Sequence, residues 1–296
     1  MCFRNTTYNS ISHIISYVIN YIYDRRGDML QQLAINSNTY HGFSLEDAVK
    51  GASKAGIRQI ELAAVKGHTA HILPEMSSAE RNGIKALLQH YEMKCVGIGA
   101  HSNVMREEGI LSLLKSIDLA VEFDCRYIIT ATGDAHGDKD VIEDEIVLAK
   151  NLEPIIEKCE QLGKQLVLET HGNNFATGAS LKKLAQLLNN RVKINYDTAN
   201  VIFYGNILPY EDLEASVDYV EFIHLKDKLG AFNEWNFPAI GDGVLDFRRI
   251  FETLKKGYYQ GPISVEIEFT PSGPANLEEV NDAVQKSFDY LSGILS

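Results

Sequence analysis

Four hard side chains stand where four apolar runs stop. In residues 166–172 (LVLETHG) the hydrophobic run ends at Glu169, with Thr170 and His171 following, while 192–197 (VKINYD) ends in Asp197, 220–224 (VEFIH) in His224 and 263–266 (ISVE) in Glu266. Three carboxylates and one imidazole, with no thiolate, suit a divalent ion such as Mn²⁺, Mg²⁺, Co²⁺ or Zn²⁺ and disfavour copper. Such an ion holds two adjacent oxygens of a hydroxy-carbonyl substrate, polarises the carbonyl and stabilises the enediolate left when a neighbouring proton departs. Proton removal needs a base, and Glu169 and Glu266 can serve as ligands and as the acid–base pair. His171, two residues past Glu169 and so pointing the same way along an extended strand, is the candidate base that is not itself a ligand.

Each residue also has a plainer explanation. A strand-end glutamate is often a surface carboxylate or a cap, His224 between Ile223 and Leu225 reads equally as a core histidine, and Asp197 before Thr198-Ala-Asn200 suits an Asx-turn. Four such residues in register are harder to dismiss. A second tier at other strand ends comprises Glu61, His101, His136, Asn200 and Lys226, as substrate contacts.

The elements that must position these groups alternate along the chain. Apolar strand candidates at 33–36, 59–63, 95–101, 127–130, 166–172, 192–196, 220–225 and 263–268 are separated by helical patterns near 45–55, 79–91, 109–122, 142–159, 180–188, 208–216, 247–256 and 277–291. Ser44 with Asp47 marks a helix start, Gly56 a stop, and Pro154 should kink or divide the fourth helix. Eight strands alternating with eight helices predict a single-domain α/β fold, the (β/α)8 TIM barrel, in which strand-end residues converge on one mouth. Glu169 and Asp197 lie 28 residues apart, Asp197 and His224 27, and each gap fits one strand–helix–return unit. The gap of 42 from His224 to Glu266 leaves room for a long seventh loop, 226–245, which carries Trp235, the chain's only tryptophan, beside Phe232 and Phe237. That loop is too long and aromatic for mere connection and is expected to close over substrate. Gly241-Asp-Gly243 within it reads as a tight turn or, less readily, as a phosphate seat, because no basic cluster adjoins it.

Composition limits the partners. A formal charge of −12 over 296 residues argues against nucleic acid or an anionic membrane, which need clustered Lys and Arg. Cys2, Cys95, Cys125 and Cys159 are scattered without a CxxC pair and fit reduced thiols in the cytoplasm. Residues 1–28 are the odd part: their apolar stretch is too short and too interrupted to span a bilayer and has no small-residue cleavage site. They are expected to be an extension outside the native protein, which would begin at Met29, leaving 29–296 as the catalytic domain.

Taken together, residues 60–62 (IEL), 168–171 (LETH), 196–200 (YDTAN), 223–227 (IHLKD), 241–243 (GDG) and 257–266 resemble the sugar phosphate isomerase/epimerase superfamily, the xylose isomerase-like TIM barrels. That group includes tagatose and psicose epimerases, inosose dehydratase and dehydroshikimate dehydratase. The resemblance covers about residues 29–291 and implies one divalent ion, usually Mn²⁺, Mg²⁺ or Co²⁺, held by Glu169, Asp197, His224 and Glu266. It further implies a small carbohydrate substrate and often a homo-oligomer, in which a partner subunit can complete the mouth. Two departures bear on reaction type. Epimerases of the group usually carry a histidine where this chain has Asn200, whereas the Glu169-x-His171 arrangement looks like the dehydratase branch. The leading expectation is a sugar or keto-sugar isomerase or epimerase, with His171 and Lys226 orienting substrate oxygens. The alternative is a lyase acting on a keto-inositol, a dehydroshikimate-like acid or a 3-keto-glycoside. A DNA-cutting barrel of the AP endonuclease IV kind conflicts with the acidic charge, and a silent sugar-binding barrel is expected to lose a ligand that this chain keeps.

Overall fold

The computed structural model describes residues 29–133 and 145–295. Residues 1–28, with Cys2, and the segment containing His136 lie outside the described residues. Eight parallel strands pair in chain order and close on themselves: β1 Leu33–Asn36, β2 Gln59–Ala63, β3 Lys94–Gly99, β4 Tyr127–Thr130, β5 Gln165–Glu169, β6 Lys193–Asp197, β7 Val220–Leu225 and β8 Ile263–Val265. Around them stand α1 Leu45–Ala55, α2 Ser78–His90, α3 Glu107–Glu122, α4 Glu145–Gln161, α5 Gly178–Leu187, α6 Asn200–Phe203, α7 Pro209–Ser216, α8 Phe247–Lys256 and α9 Leu277–Leu295. This is the single-domain TIM barrel that the alternation predicts. Among the described residues no helix is long and apolar enough to cross a membrane, and Cys95, Cys125 and Cys159 are buried free thiols.

Local sequence sets the helix ends. The Ser44 hydroxyl accepts the Asp47 N–H while the Asp47 carboxylate accepts the Ser44 N–H, and Gly56, at φ +98°, stops the helix in a conformation that costs other residues strain. Ser77 with Glu80 repeats the device at α2. Two expectations are corrected. Pro154 neither ends nor divides α4, which runs through it at the loss of one N–H bond to the Lys150 carbonyl. Between β6 and β7 the chain forms two short helices, α6 and α7, where one was expected.

Side-chain alternation explains the mouth. Ala34, Val96, Tyr127, Ile129, Val167 and Phe222 form a separate apolar plug inside the barrel, while Leu166, Leu168 and Ile223 beside them on the strands join the core under the helices. Gly97 makes room for the plug, since a Cβ there would meet Ile129 Cδ1 at 2.7 Å and Phe222 at 3.2 Å. Two residues beyond the plug on the same face come Asn36, Glu169 and His224. Register does the rest: Asp197 pairs with His224, His224 with Ser264, and Asn36 with Glu61, where the β2–β3 register shifts. His101, Glu266 and Glu268, expected within strands, lie just past β3 and β8. Their approach is still fixed by Ala100 N–H to Ile129 O at 2.8 Å and Glu266 N–H to Leu225 O at 3.0 Å.

The long seventh loop is organised by Asp227. Its buried carboxylate accepts the backbone N–H groups of Lys228, Gly241, Gly243 and Leu245 at 2.8, 2.9, 2.9 and 3.2 Å. Gly241 adopts φ +94°, and a Cβ on Gly243 would strike the carboxylate itself. The Gly241-Asp-Gly243 turn is therefore closed around an anion supplied by the chain. Asp227→Asn keeps the volume but turns an amide donor toward backbone donors, and should cost about 2–3 kcal/mol. Urea denaturation of the two proteins measures it; equal midpoints would mean that the loop does not need the carboxylate.

Candidate metal centre and active site

Glu169, Asp197, His224 and Glu266 converge at the C-terminal mouth, each offering one ligand atom, with these atoms all within 4.8 Å of one another. All four are buried. Asp197 divides its oxygens between the two readings its sequence allowed. Oδ1 accepts the N–H groups of Ala199 and Asn200 at 2.9 and 2.8 Å, an Asx-turn that opens α6, whereas Oδ2 faces the cluster 3.0 Å from Lys226 Nζ and 4.0 Å from His224 Nδ1. His224 likewise has two sides. Nδ1 faces Glu169 at 3.1 Å and Glu266 at 3.5 Å, and Nε2 faces Glu61 Oε2 at 2.9 Å.

That second contact relocates Glu61. Expected to reach substrate, it spends Oε2 on His224 and on the Ser264 hydroxyl at 2.8 Å. A proton held on Nε2 by this carboxylate leaves the Nδ1 lone pair for an ion, the arrangement that orients metal-bound histidines. Oε1 is buried without a hydrogen-bond partner, on the side of Gly99, whose missing Cβ would lie 2.8 Å from it. Asn200 is also corrected: it is turned inward, donating Nδ2–H to Glu169 Oε1 at 3.1 Å, and so positions a ligand without lining the cavity. Trp235 is likewise absent from the lining. It packs edge-on against Phe203 and Phe237 at 5.5 and 5.1 Å, and the Phe237 ring lies 5.2 Å from Lys226 Nζ.

The expected residues that do line the cavity are Glu61, His101, Glu169, His171, Lys226 and Glu266. His101 accepts the Ala131 N–H at Nδ1, 3.2 Å, so its Nε2 proton points to Glu169 Oε2 at 3.0 Å. His171 stands between His101 and Tyr204, at ring distances of 5.9 and 4.6 Å. Sequence reasoning missed Asn36, Asn38 and Glu268. Asn36 and Asn38 both donate to Glu266 Oε1 at 3.0 Å, and Glu268 meets Lys226 at 2.8 Å. The strand-end rule applied to β1 would have found Asn36, and a step of two from Glu266 would have found Glu268.

The electrostatics test whether an ion fits. Five carboxylates, Glu61, Glu169, Asp197, Glu266 and Glu268, gather at the mouth, and among the described residues one ammonium, Lys226, meets Asp197, Glu266 and Glu268 directly. Burial, followed by repulsion from Glu169 and Glu266, pushes Asp197 up to about 7 against the pull of Lys226. Burial would raise Glu266 too, but Lys226 and His224 hold it at about 2, and burial would lower His224, which its carboxylate neighbours instead push well above the usual imidazole range. The cluster thus retains protons near neutral pH because carboxylates outnumber cations. Hard oxygens, an oriented imidazole and surplus negative charge fit a divalent ion, which would displace those protons.

A closed parallel barrel with an ion-competent carboxylate–imidazole cluster at its mouth is the setting for the comparisons with known proteins. Residues 49–292 match the family described as xylose isomerase-like TIM barrel, and the chain belongs to it. An L-ribulose-5-phosphate 3-epimerase, UlaE, of Escherichia coli (strain K12 / DH10B) is 29% identical over 175 residues, which cover 57% of this chain and 60% of that relative. The chain thus matches about three fifths of that protein's length. The inosose dehydratase of Geobacillus kaustophilus (strain HTA426) is 25% identical over 240 residues, covering 70% of this chain and 78% of the relative. A xylose isomerase-like barrel from Mycobacterium smegmatis, solved in complex with magnesium, superposes with a TM-score of 0.69 at 14% identity over 89% of this chain and 97% of its own.

Two outcomes follow from the geometry. Mn²⁺ should raise the melting temperature and EDTA should reverse the gain, with Glu61→Gln weakening Mn²⁺ affinity about 10–100-fold in calorimetry while the fold is retained; unchanged affinity would remove Glu61 from the support of His224. Because the raised Asp197 carboxyl takes up its proton as pH falls through about 7, the ion competes with that proton. Mn²⁺ affinity should therefore fall by tenfold or more per pH unit below that point, since the His224 proton must also leave, and a flat affinity between pH 5.5 and 8 would contradict the assignment.

Proposed function

We propose that the protein is a divalent-metal-dependent isomerase or epimerase of a sugar or keto-sugar, acting by proton abstraction next to a carbonyl in the cytoplasm. The observation that carries this reading is the convergence of Glu169, Asp197, His224 and Glu266 within one cluster beside a cavity lined by further acid–base groups. Mn²⁺ is the ion favoured here. Bound by those four residues, it supplies positive charge that polarises the substrate carbonyl and acidifies the adjacent C–H. Glu266, kept ionised by Lys226 and His224 despite its burial, is available as a base at neutral pH. Glu169, held well below the usual carboxylate range by His224 and His101 against the effect of burial, enters from β5 as its counterpart. Two carboxylates reaching the same carbon from different strands can remove a proton on one face and return it on the other. His171 and Lys226, on the wall, orient substrate oxygens, and the Trp235–Phe237 cluster shields the mouth from water. A second copy of the chain completing the mouth is part of the same proposal.

A second reading is favoured by a specific arrangement. His171 shares the cavity with Glu169, Asn200 is committed to holding Glu169, and the inosose dehydratase relative aligns over most of the chain. In that case His171 takes the proton and a hydroxyl or alkoxide leaves from the β-carbon.

Proton NMR in D₂O with ketoses, keto-inositols and 3-keto-glucosides, beside a chelated control, separates the readings. Metal-dependent deuterium uptake next to the carbonyl with the skeleton intact is expected, and release of water or aglycone would assign the lyase. Glu266→Gln should abolish uptake, and normal turnover in that variant would sink the site. Lost uptake with metal binding retained in His171→Ala would make His171 the base, whereas normal uptake returns that role to the glutamates.

A further inference from the structure

The relatives act, by their names, on substrates of different charge: a sugar phosphate for one and a neutral keto-polyol for the other. The mouth of this barrel discriminates between them. Its lining contains Glu61, Glu169, Glu266 and Glu268, with Lys226 as the ammonium among the described residues. Lys226 is already committed to Asp197 at 3.0 Å and to Glu266 and Glu268 at 2.8 Å each. A bound dication together with Lys226 would neutralise three of the five carboxylates Glu61, Glu169, Asp197, Glu266 and Glu268. A phosphate or carboxylate on the substrate would enter a cavity that remains negative.

In the seventh loop the backbone donors that could seat an anion are engaged as well. The N–H groups of Gly241, Gly243 and Leu245, in the loop where a phosphate seat was considered, bind Asp227. The Lys228 ammonium turns away to the carbonyls of Leu229 and Ala231, and Lys66 and Arg106 are exposed, outside the lining. The imidazoles His68, His101 and His171 also line the cavity, with His101 Nε2 turned to Glu169, and the carboxylate oxygens beside them are acceptors. Asn36 and Asn38 spend amide protons on Glu266, and Glu61 Oε1, buried and without a partner, lies beside the bare Cα of Gly99. A buried carboxylate oxygen needs a donor, which a hydroxyl provides and a phosphate dianion does not.

We infer that the substrate is a neutral polyhydroxy ketone, an unphosphorylated ketose or a cyclic keto-polyol, and neither a sugar phosphate nor a keto acid, with Glu61 Oε1 and Glu268 accepting its hydroxyls. The inference rests on the proposed carbonyl chemistry of this site and narrows both of its branches.

Matched pairs test it on Mn²⁺-loaded full-length protein: L-ribulose against L-ribulose 5-phosphate, D-fructose against D-fructose 6-phosphate, and scyllo-inosose against 3-dehydroshikimate. Calorimetry reads binding, and deuterium uptake in D₂O reads chemistry. In at least one pair the neutral member should bind and exchange ten times better or more. Both 0.5 M KCl and Glu268→Gln should narrow that difference by improving the anion. Tighter binding or faster exchange of the anionic members would overturn the inference while leaving the carbonyl chemistry in place. Binding of neutral members without exchange by any compound would do the reverse, and absence of both binding and exchange across all pairs would remove both.

Discussion

Lys226 is the charge on which the mouth depends. Removing an ion from water costs several kcal/mol even after relaxation, and the barrel end buries carboxylates from β2, β5, β6 and the segment after β8 at once. Contacts of 2.8–3.0 Å to Asp197, Glu266 and Glu268 bring one ammonium to three of them. That is enough to keep Glu266 ionised but not Asp197, whose burial and crowding win. The pairs on the helical surface, such as Lys50–Glu46, are exposed and screened by water and salt, so their number says little. The cost accepted at the mouth distinguishes it from the rest of the surface as a place that could hold an ion.

The fold was legible because the signals were local and repeated. Apolar strands of similar length, spaced by amphipathic helices with capping residues at their starts, leave few architectures open. The four residues that cluster at the mouth were legible for the same reason: each is a polar residue ending an apolar run. Residues that act through another residue were not. Glu61 and Asn200 carry polar groups at strand ends and were read simply as substrate contacts, yet Glu61 gives one oxygen to His224 and Asn200 turns to Glu169, because direction at a bulge or a helix start depends on register that a single strand does not encode. Trp235 stood out by type and loop length, but those features say nothing about whether a ring meets the cavity or its neighbours Phe203 and Phe237.

Pro154 and the β6–β7 connection show the same limit from the other side. Proline chemistry forbids one hydrogen bond, and α4 has enough buried contacts, including Leu148, Leu152, Ile155 and Ile156, to continue without it. A rule about one residue was outweighed by packing that involves several. In the β6–β7 connection the helix expected at 208–216 forms as α7 with Pro209 in its first turn, and the turn held by Asp197 leads into a further short helix, α6, that no apolar pattern announced.

The division of Asp197 between a turn and the cluster has its own consequence. One oxygen is fixed by two backbone N–H groups, so the other reaches the cluster without a rotamer left to choose. Glu169, braced by Asn200 and His101, and His224, braced by Glu61, are restrained in the same way. The entropy of gathering the ligands is thus spent during folding. Discrimination among ions then falls to radius and preferred coordination geometry, and a swap of metals should alter reactivity more readily than shape.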